Sequence, residues 1–402
     1  MNPKKRSPLL FFTRIMAAIF LIIFVALVIC NIFTKDRVFS EKENRVLASK
    51  PNLSLDHLAS GQFMKESESY VNDQFAFRDF WIMIKSTADT ILGKKEANGI
   101  YLGKNGRLFE QFEEPDAERV ASLKQSILAF SKRHEKLKQY LLIAPTAVNI
   151  YQNELPAFAP AADQNAYMDA FLSAFSSSET MKVIDVREAF RLEKETNLYY
   201  RTDHHWTTTG AYVAFQQAAS VMELDPSAVS YEHYPVSADF QGTLSAKSGF
   251  LENEKEALEL YFPNQETAYT VNYVEEQKKE ADVYHGESLK TRDQYAVFFG
   301  GNHSLIEIQT ASKSKASLLV LKDSYANCFI PFLIPYYREI VIVDPRYNYD
   351  NIDTLIDEYD IQEVLFLYNA NTFFSDKYLQ TSLEPAPQEE EANAEATEQK
   401  ES

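Results

Sequence analysis

Short apolar strands alternate with helices along much of this chain, and this alternation limits the folds that the chain can adopt. Helices predicted at residues 326–336 and 352–359 lie between strands near the C-terminus. Strands that alternate with helices are typical of an α/β fold, in which a mostly parallel sheet is flanked by helices. We therefore predict such a sheet as the core. The predicted strands are residues 139–143, 183–186, 317–321, 340–343 and 364–367.

Changes in composition divide the chain into four predicted parts. Residues 1–34 comprise a cytoplasmic tip and a transmembrane segment, and residues 35–97 a polar stalk followed by a helical region. Residues 98–383 form the α/β domain, in which the charged segment at about 231–302 is predicted to be an insertion. Residues 384–402 are mostly Pro, Ala, Gln and Glu, a composition that predicts a disordered acidic tail.

The N-terminal segment indicates where the protein is located. Lys4, Lys5, Arg6 and Arg14 precede an uncharged run at 15–33 that is long enough to cross a bilayer as a helix. Basic residues before such a run predict a cytoplasmic N-terminus and an extracytoplasmic C-terminal domain. We expect a single-pass anchor in the cell membrane, because no small-x-small cleavage site follows the run. A cleaved signal peptide is the alternative.

The overall composition excludes some classes of partner. A formal net charge of -18 argues against binding to nucleic acid, because phosphate binding needs a basic face. A hydrophobic content of 45% belongs to a globular protein. The two cysteines lie in different contexts, Cys30 in the apolar run and Cys328 near the C-terminal strands, so no disulfide is expected between them.

Two motifs bring together residue types that catalyse acyl transfer. The run Asp203-His204-His205-Trp206 stands directly ahead of a predicted helix, and Ser324 stands where an apolar strand turns into another helix. A serine hydroxyl needs a base within hydrogen-bonding reach, and the base needs an orienting partner. The Asp203 carboxylate can accept from one imidazole nitrogen of His205 while the other nitrogen faces Ser324. Trp206 could wall the site and exclude water.

The position of Ser324 adds to this interpretation. It follows a predicted buried strand, at the edge where open α/β sheets bind their ligands. The helix predicted after it would offer its first backbone N–H groups to a developing oxyanion. The hydroxyls of residues 207–209 would cap a helix that begins at about Gly210.

Each motif also has an alternative interpretation. A serine between a strand and a helix is often only a helix cap, and an Asp-x-His pair is often part of a surface loop. Asp203, His204 and His205 could also begin a metal site, since all three side chains are common metal ligands. The presence of both motifs in one chain, each at the end of a strand, favours catalysis.

These residues resemble the DHHW protein family, named for the run at 203–206. That family is similar to the alginate O-acetyltransferase proteins and, more distantly, to SGNH hydrolases. The resemblance extends over most of the part after the anchor and implies an SGNH-like domain with a circularly permuted order of motifs. Its supporting motifs are Glu43-Asn44-Arg45, Phe77-Arg78-Asp79, Ile143-Ala144-Pro145-Thr146, residues 295–302, Lys322-Asp323-Ser324-Tyr325-Ala326-Asn327 and Val343-Asp344-Pro345-Arg346.

The resemblance implies a role for individual residues. It implies Ser324 as nucleophile, His205 as base and Asp203 as orienter, and it favours His205 over His204 because His205 precedes the tryptophan. Asn369, which follows the last predicted strand, is the candidate oxyanion-hole donor. Residues 300–303 could line the site or form a tight turn. The candidate substrate-binding residues are Trp206, Tyr325, Asn302 and Arg346.

Together these features predict a membrane-anchored, extracytoplasmic serine acyl-transfer enzyme. It would be an O-acetyltransferase or O-acetylesterase that acts on a cell-surface polysaccharide. An acetyltransferase outside the membrane lacks acetyl-coenzyme A, so it would need a multi-span membrane partner to deliver acetyl groups. We recognise no coenzyme-binding signature and expect no cofactor. A non-catalytic glycan-binding or scaffold protein of the cell envelope is the alternative function, and a metal-dependent hydrolase is the third.

Overall fold

The computed structural model of the chain describes residues 8–37, 39–40, 45–250, 255–265 and 267–385. The chain divides into two compact units, one of residues 1–94 with 249–251 and the other of residues 95–248 with 252–402. Residues 386–402, most of the predicted disordered tail, lie outside the described residues.

The first unit is mainly helical. Its first helix contains a stretch of 23 residues with a mean hydropathy of 3.0, long and apolar enough to serve as a membrane anchor or as a signal sequence. The helical region predicted after the stalk consists of three helices. The backbone takes a positive φ at Gly61 and again at Phe77, and each of these residues interrupts the helix. The elements are α1 (Pro8–Phe33), β1 (Phe39–Ser40), β2 (Arg45–Val46), α2 (Leu55–Ala59), α3 (Gln62–Gln74) and α4 (Arg78–Ile91).

The second unit begins with a small antiparallel sheet. Asn98 and Gly99 both have positive φ, as the two-residue turn of a hairpin requires, and they join its first two strands. Asn105 and Gly106, also at positive φ, lie in the connection to its third strand. The strands are β3 (Glu96–Ala97), β4 (Ile100–Leu102) and β5 (Leu108–Glu110).

An eight-stranded sheet forms the core of this unit. The strands are listed at the end of this paragraph in their order across the sheet. The last five strands of that order pair in parallel with one another. The first three pair antiparallel with one another, and the third also pairs antiparallel with the fourth. Every residue of the strands at 317–322 and 363–369 is buried, as expected of parallel strands covered on both faces. The predicted mostly parallel α/β sheet is confirmed. The order is β11 (Lys278–Glu280), β10 (Tyr269–Tyr273), β12 (Leu305–Thr310), β14 (Glu339–Val343), β13 (Ser317–Lys322), β15 (Glu363–Asn369), β6 (Lys138–Ala144) and β7 (Met181–Val183).

Helices connect and flank these strands. The helix expected from about Gly210 begins two residues earlier, because the Thr207 side chain caps it by accepting from the Gly210 amide. The helices are α5 (Ala117–Arg133), α6 (Ala147–Ile150), α7 (Gln164–Leu172), α8 (Arg187–Leu192), α9 (Thr208–Met222), α10 (Thr243–Ser248), α11 (Ile352–Glu358), α12 (Ala370–Ser375) and α13 (Tyr378–Ser382).

One prediction about this unit was wrong. The segment at 326–336 is not an α-helix but part of three short 3₁₀ turns, and Pro331 and Pro335 lie in the second and third of them. Proline lacks the N–H that an α-helix needs. The segment at 231–302, which is predicted to be an insertion, contains four strands among its described residues. Its strands β8 (Tyr231–Phe240) and β9 (Glu256–Pro263) form a pair, while β10 and β11 complete the main sheet.

Candidate active site

Ser324 lies at the carboxyl end of β13, where the buried strand ends in a tight turn. Asp323 caps this turn, because its Oδ1 accepts from the Tyr325 amide at 2.9 Å. The other carboxylate oxygen of Asp323 accepts from the backbone and side-chain amides of Asn369, at 2.9 and 2.6 Å. These bonds fix the residue before Ser324 against the end of β15. The Ser324 side chain itself is partly exposed.

A line of hydrogen bonds joins Ser324 to His205 and Asp203. The Ser324 hydroxyl lies 2.8 Å from Nε2 of His205, and Nδ1 of the same ring lies 2.6 Å from Oδ2 of Asp203. With Nδ1–H donating to the carboxylate, Nε2 is free to accept the serine proton. The three residues that the two motifs single out therefore form one relay, arranged as a serine acyl-transfer site requires.

Asp203 is buried, and the start of α10 holds it in place. The backbone amide of Thr243 donates to Oδ1 at 2.8 Å, and the Thr243 hydroxyl donates to the same oxygen at 2.7 Å. Burial alone would raise the pKa of Asp203, but His205 and His204 outweigh it and hold the pKa well below its usual range. A Cβ atom at Gly242 would lie 2.1 Å from Cβ of Asp203, so only glycine fits at this position.

His204 belongs to the same network but not to the relay. Its Nδ1 lies 2.8 Å from the Thr243 hydroxyl, which already donates to Asp203, so Nδ1–H of His204 is the donor. Burial is the largest single influence on the pKa of His204 and lowers it, but the charge of Asp203, its hydrogen bond and the charge of Glu110 together make the net shift upward. Burial is the largest cause that lowers the pKa of His205, to about 4, and His204 lowers it further. His205 is therefore neutral near pH 7 and able to act as a base.

Tyr295 fixes the plane of the His205 ring. The two rings are stacked, with centroids 3.7 Å apart and planes 9° apart. The Tyr295 hydroxyl lies 3.3 Å from the carbonyl oxygen of Ser324 and 3.2 Å from Sγ of Cys328. One side chain thus contacts both His205 and the turn that carries Ser324.

Glu256 fixes the loop that leads into the first motif. Its Oε1 accepts from the amide and the hydroxyl of Thr202, at 2.8 and 2.7 Å, and its Oε2 accepts from the amide of Arg201 at 2.6 Å. The carboxylate is buried, and burial is the main cause that raises its pKa. The residues directly before Asp203 are consequently held by three donors.

Two of the predicted substrate-binding residues are structural instead. Trp206 and Tyr325 are fully buried and therefore cannot contact a substrate. Nε1 of Trp206 donates to the Tyr325 carbonyl at 2.9 Å, and the Tyr325 hydroxyl donates to the His204 carbonyl. These reciprocal bonds tie the first motif to the second and set the distance between His205 and Ser324.

The other two predicted residues border a buried cation. Nζ of Lys322 lies 3.0 Å from Oδ1 of Asn302, 2.9 Å from Oδ1 of Asn327 and 3.3 Å from Asp344. Arg346 makes a bidentate pair with Asp344 at 2.8 and 2.6 Å and stays partly exposed. Burial is the main cause that lowers the pKa of Lys322. Asn302 is exposed and follows the turn at 300–301, where both glycines have positive φ.

Asn369 does not fit the predicted role of oxyanion donor. Its Nδ2 hydrogens are directed to Asp323, at 2.6 Å, and to the Thr372 hydroxyl, at 2.8 Å. Its Oδ1 caps α12 by accepting from the Thr372 amide. The Tyr325 amide is likewise engaged with Asp323. The 3₁₀ turn therefore offers fewer donors than the helix that the sequence predicted.

The same hydrogen bonds bear on the alternative prediction of a metal site at Asp203, His204 and His205. Among the described residues, Asp203, His204 and His205 have ligand atoms within 4.8 Å of one another. Both nitrogens of His205 and Nδ1 of His204 already have hydrogen-bond partners in this network. A metal ion would have to replace bonds that the relay makes.

Three residues that support the relay were given no role from the sequence. Thr243, Glu256 and Tyr295 all come from the segment at 231–302, which has no spacing that links it to either motif. Gly242-Thr243, a glycine and a hydroxyl residue at the start of a short helix, is one local signal, and Tyr295 begins the motif at 295–302 that supports the family resemblance.

Comparison with known proteins agrees with this fold. A solved structure of a DHHW family protein from Eubacterium siraeum is 22% identical, with a TM-score of 0.60, and the match covers 72% of this chain and 95% of that one. Bacillus cereus PatB1 is 20% identical, with a TM-score of 0.58, and the match covers 69% of this chain and 99% of PatB1.

Sequence comparison gives the family. The probable alginate O-acetylase AlgJ of Pseudomonas syringae pv. tomato is 23% identical over 171 residues, which are 40% of this chain and 43% of that relative. Residues 100–303, just over half of the chain, match the family described as SGNH hydrolase-like domain, acetyltransferase AlgX. The match includes Asp203 and His205 and ends before Ser324. The chain belongs to this family of SGNH hydrolase-like acetyltransferases.

Proposed function

We propose that this protein is a polysaccharide O-acetyltransferase that works through an acetyl-serine intermediate on Ser324. The family supports acetyl transfer, and the name of the AlgJ relative supports a polysaccharide acceptor. The observation that carries the proposal is the line of hydrogen bonds from Ser324 through His205 to Asp203, with heavy-atom distances of 2.8 and 2.6 Å.

The first half-reaction acetylates the enzyme. The Ser324 hydroxyl attacks the acetyl carbonyl of the donor, and Nε2 of His205 takes the hydroxyl proton. Asp203 stabilises the imidazolium that forms. When the tetrahedral intermediate collapses, the bond to the leaving group breaks and His205 returns the proton to that group. Acetyl-Ser324 and a neutral His205 result.

The second half-reaction passes the acetyl group on. A sugar hydroxyl gives its proton to Nε2 of His205 and attacks the acetyl-serine carbonyl. Collapse breaks the bond to Ser324 Oγ, which regains the proton from His205. The backbone N–H of Ser324 is our candidate donor to the oxyanion, because the Asn369 and Tyr325 donors are engaged with Asp323.

The acetyl group must come from outside this chain. We propose that α1 anchors the protein with its N-terminus in the cytoplasm, because Lys4, Lys5, Arg6 and Arg14 precede the apolar run. The second unit would then work outside the cytoplasm, where acetyl-coenzyme A is not supplied. A multi-span membrane protein that carries acetyl groups across the bilayer is the partner that this topology requires.

Transfer can be tested with the full chain in detergent. The protein is incubated with p-nitrophenyl acetate and a glycan oligomer, and acetylated glycan is measured by mass spectrometry alongside free acetate. We expect acetylated glycan from the wild type and none from Ser324→Ala, with Ser314→Ala as a serine control outside the relay. Release of acetate alone would indicate an esterase, and turnover by Ser324→Ala would contradict the proposal.

A further inference from the structure

A cleft of about 450 Å³ lies in the second unit, within the size range of small-molecule sites. Its walls come from β5 and the segment after it, from the start of α5, and from α10 and α12. Sequence reasoning assigned no role to these residues. The polar lining includes Glu110, Glu113, Arg119, Lys247, Asn371 and Thr372.

One wall of the cleft, helix α10, is hydrogen-bonded to Asp203, the carboxylate at one end of the relay. α10 begins at Thr243, which donates to Asp203, and Lys247 lines the cleft four residues later. Nζ of Lys247 lies 3.5 Å from the Glu110 carboxylate. For His204, burial lowers the pKa and Asp203 raises it, and Glu110 adds a further rise. Glu110 is therefore close enough to act electrostatically on the active site.

The opposite wall is attached to the nucleophile. The Thr372 hydroxyl in α12 accepts from the Asn369 side chain, which also donates to Asp323, the residue before Ser324. Asn371, the residue before Thr372, donates to Glu110 at 3.4 Å. Because Glu110 also pairs with Lys247 of α10, this bond links the two walls. Hydrogen bonds consequently link the cleft lining to both ends of the relay, through Thr243 to Asp203 and through Thr372 and Asn369 to Asp323, next to Ser324.

The charges in the cleft lining are unbalanced. Lys247 is paired with Glu110, and Arg119 donates to the carbonyl of Ser375 at 3.4 Å, so neither cation is free of a partner. The excess negative charge repels an anionic polymer, whereas amide, hydroxyl and carboxylate groups all bind sugar hydroxyls. The carboxylates of the lining are Glu110, Glu113, Glu114 and Asp116, and its cations are Arg119 and Lys247.

We propose that this cleft binds the acceptor glycan and selects an uncharged sugar chain over a polymer of uronic acids. The proposal rests on the proposed acetyl transfer and adds the class of acceptor to it. Glu110 and Asn371 bind hydroxyls of the sugar that is acetylated. Glu113, which is exposed, repels carboxylates on the chain.

The test compares two acceptors of equal length, an N-acetylglucosamine oligomer and a mannuronate oligomer, with p-nitrophenyl acetate as donor and the full chain in detergent. We expect kcat/KM for the neutral oligomer to exceed that for the mannuronate oligomer by about tenfold or more, given several like charges at short range. Equal use of the two oligomers, or preference for mannuronate, would overturn the proposal.

Two variants locate the selectivity in the cleft. Glu110→Gln should raise KM for the neutral oligomer about fivefold, since one charged acceptor of sugar hydroxyls is lost. Glu113→Lys should raise kcat/KM for the mannuronate oligomer about threefold, a gain that misfolding cannot produce. Glu287→Lys, an exposed change outside the cleft lining, is the matched control. If both cleft variants match the wild type in these constants, the cleft is not the acceptor site.

A further measurement separates this proposal from the one on which it rests. Binding of the two oligomers to Ser324→Ala, measured by calorimetry, needs no acetyl transfer. Preferred binding of the neutral oligomer supports the cleft proposal even if no transfer is seen. Acetylation of Ser324 without glycan, combined with equal binding of both oligomers, would uphold the enzyme and overturn the cleft.

Discussion

The ring of Tyr295 lies flat against the imidazole of His205, with the centroids 3.7 Å apart and the planes 9° apart. Tyr295 comes from a short 3₁₀ turn at 294–297, about ninety residues after the histidine that it covers. Its hydroxyl is also close to the carbonyl of Ser324. This stack keeps the imidazole in the plane that places Nε2 beside the serine hydroxyl.

Removing the stack should slow catalysis more than it weakens the fold. We expect Tyr295→Leu to lower kcat by about tenfold, because a stacked aromatic pair contributes about 0.5–1.5 kcal/mol to holding a ring in place. Tyr295→Phe keeps the ring and should retain most of the activity. Turnover of p-nitrophenyl acetate by both variants checks this, with circular dichroism as the folding control. Equal losses in both variants would assign the effect to the hydroxyl.

A methyl group at Gly242 should displace Asp203. The added Cβ would lie 2.1 Å from Cβ of Asp203, inside any permitted contact, and overpacking of this kind costs about 1–3 kcal/mol. We expect Gly242→Ala to lower both the melting temperature and the acylation rate. Gly286→Ala is the matched control, because nothing lies within 4 Å of a Cβ at that glycine. If Gly242→Ala is acylated at the wild-type rate, catalysis does not depend on the position of Asp203, and the prediction is contradicted.

The acylation rate should depend on pH through His205. Burial, and then His204, lowers the pKa of His205 to about 4. His205 must be neutral to accept the serine proton, so the rate should rise with pH through this pKa and be constant from about pH 6 to 8. The measurement is the burst rate with p-nitrophenyl acetate between pH 3.5 and 8. A midpoint at or above 6.5 would contradict the assignment.

His204 provides a second test of the same profile. Its pKa is raised, with Asp203 the main upward cause against burial, so His204 is cationic where His205 titrates. Removing this charge should raise the pKa of His205, and His204→Gln should therefore shift the acidic limb to higher pH. His233→Gln, at an exposed histidine, should leave the limb unchanged. A shift in the control, or none in His204→Gln, would count against electrostatic coupling of the two histidines.

The bonds between the two motifs should matter for stability. Trp206→Phe removes the indole N–H that donates to the buried carbonyl of Tyr325 and leaves it only the weak thiol donor of Cys328 at 3.7 Å; a poorly paired buried acceptor costs about 1–3 kcal/mol. We expect the melting temperature to fall by several degrees. Trp81→Phe, at the other tryptophan, loses a hydrogen bond at a more exposed site, so its melting temperature should fall less. Equal falls would indicate that burial at Trp206 contributes nothing beyond the bond.

The sequence predicted the features that depend on local patterns. Apolar strands separated by helices predicted the parallel part of the sheet, because its central strands β13 and β15 are buried on both faces. Asp203, His205 and Ser324 could be selected because each follows a strand or precedes a helix within a short motif. The parts that escaped prediction depend on distant contacts. Thr243 and Tyr295 reach the relay only because the segment at 231–302 folds back over it.

Other expectations from the sequence were wrong because of contacts near the residue that a sequence pattern does not reveal. Trp206 and Tyr325 were expected at the substrate, but aromatic residues more often fill a core, and their polar atoms are satisfied within the protein. Pro331 and Pro335 turn the expected helix into 3₁₀ turns. Asn369 was expected to bind an oxyanion, and the buried carboxylate of Asp323 takes its amide instead.

The central claim is that Ser324 carries the acetyl group and that His205 activates it. The most direct measurement is peptide mass spectrometry of the full chain after brief exposure to p-nitrophenyl acetate. We predict one acetyl group on the peptide that contains Ser324 in the wild type, none in His205→Ala, and normal labelling in His233→Ala. An unlabelled Ser324 in folded wild-type protein, or labelling that persists in His205→Ala, would contradict the account and favour a non-catalytic glycan-binding protein.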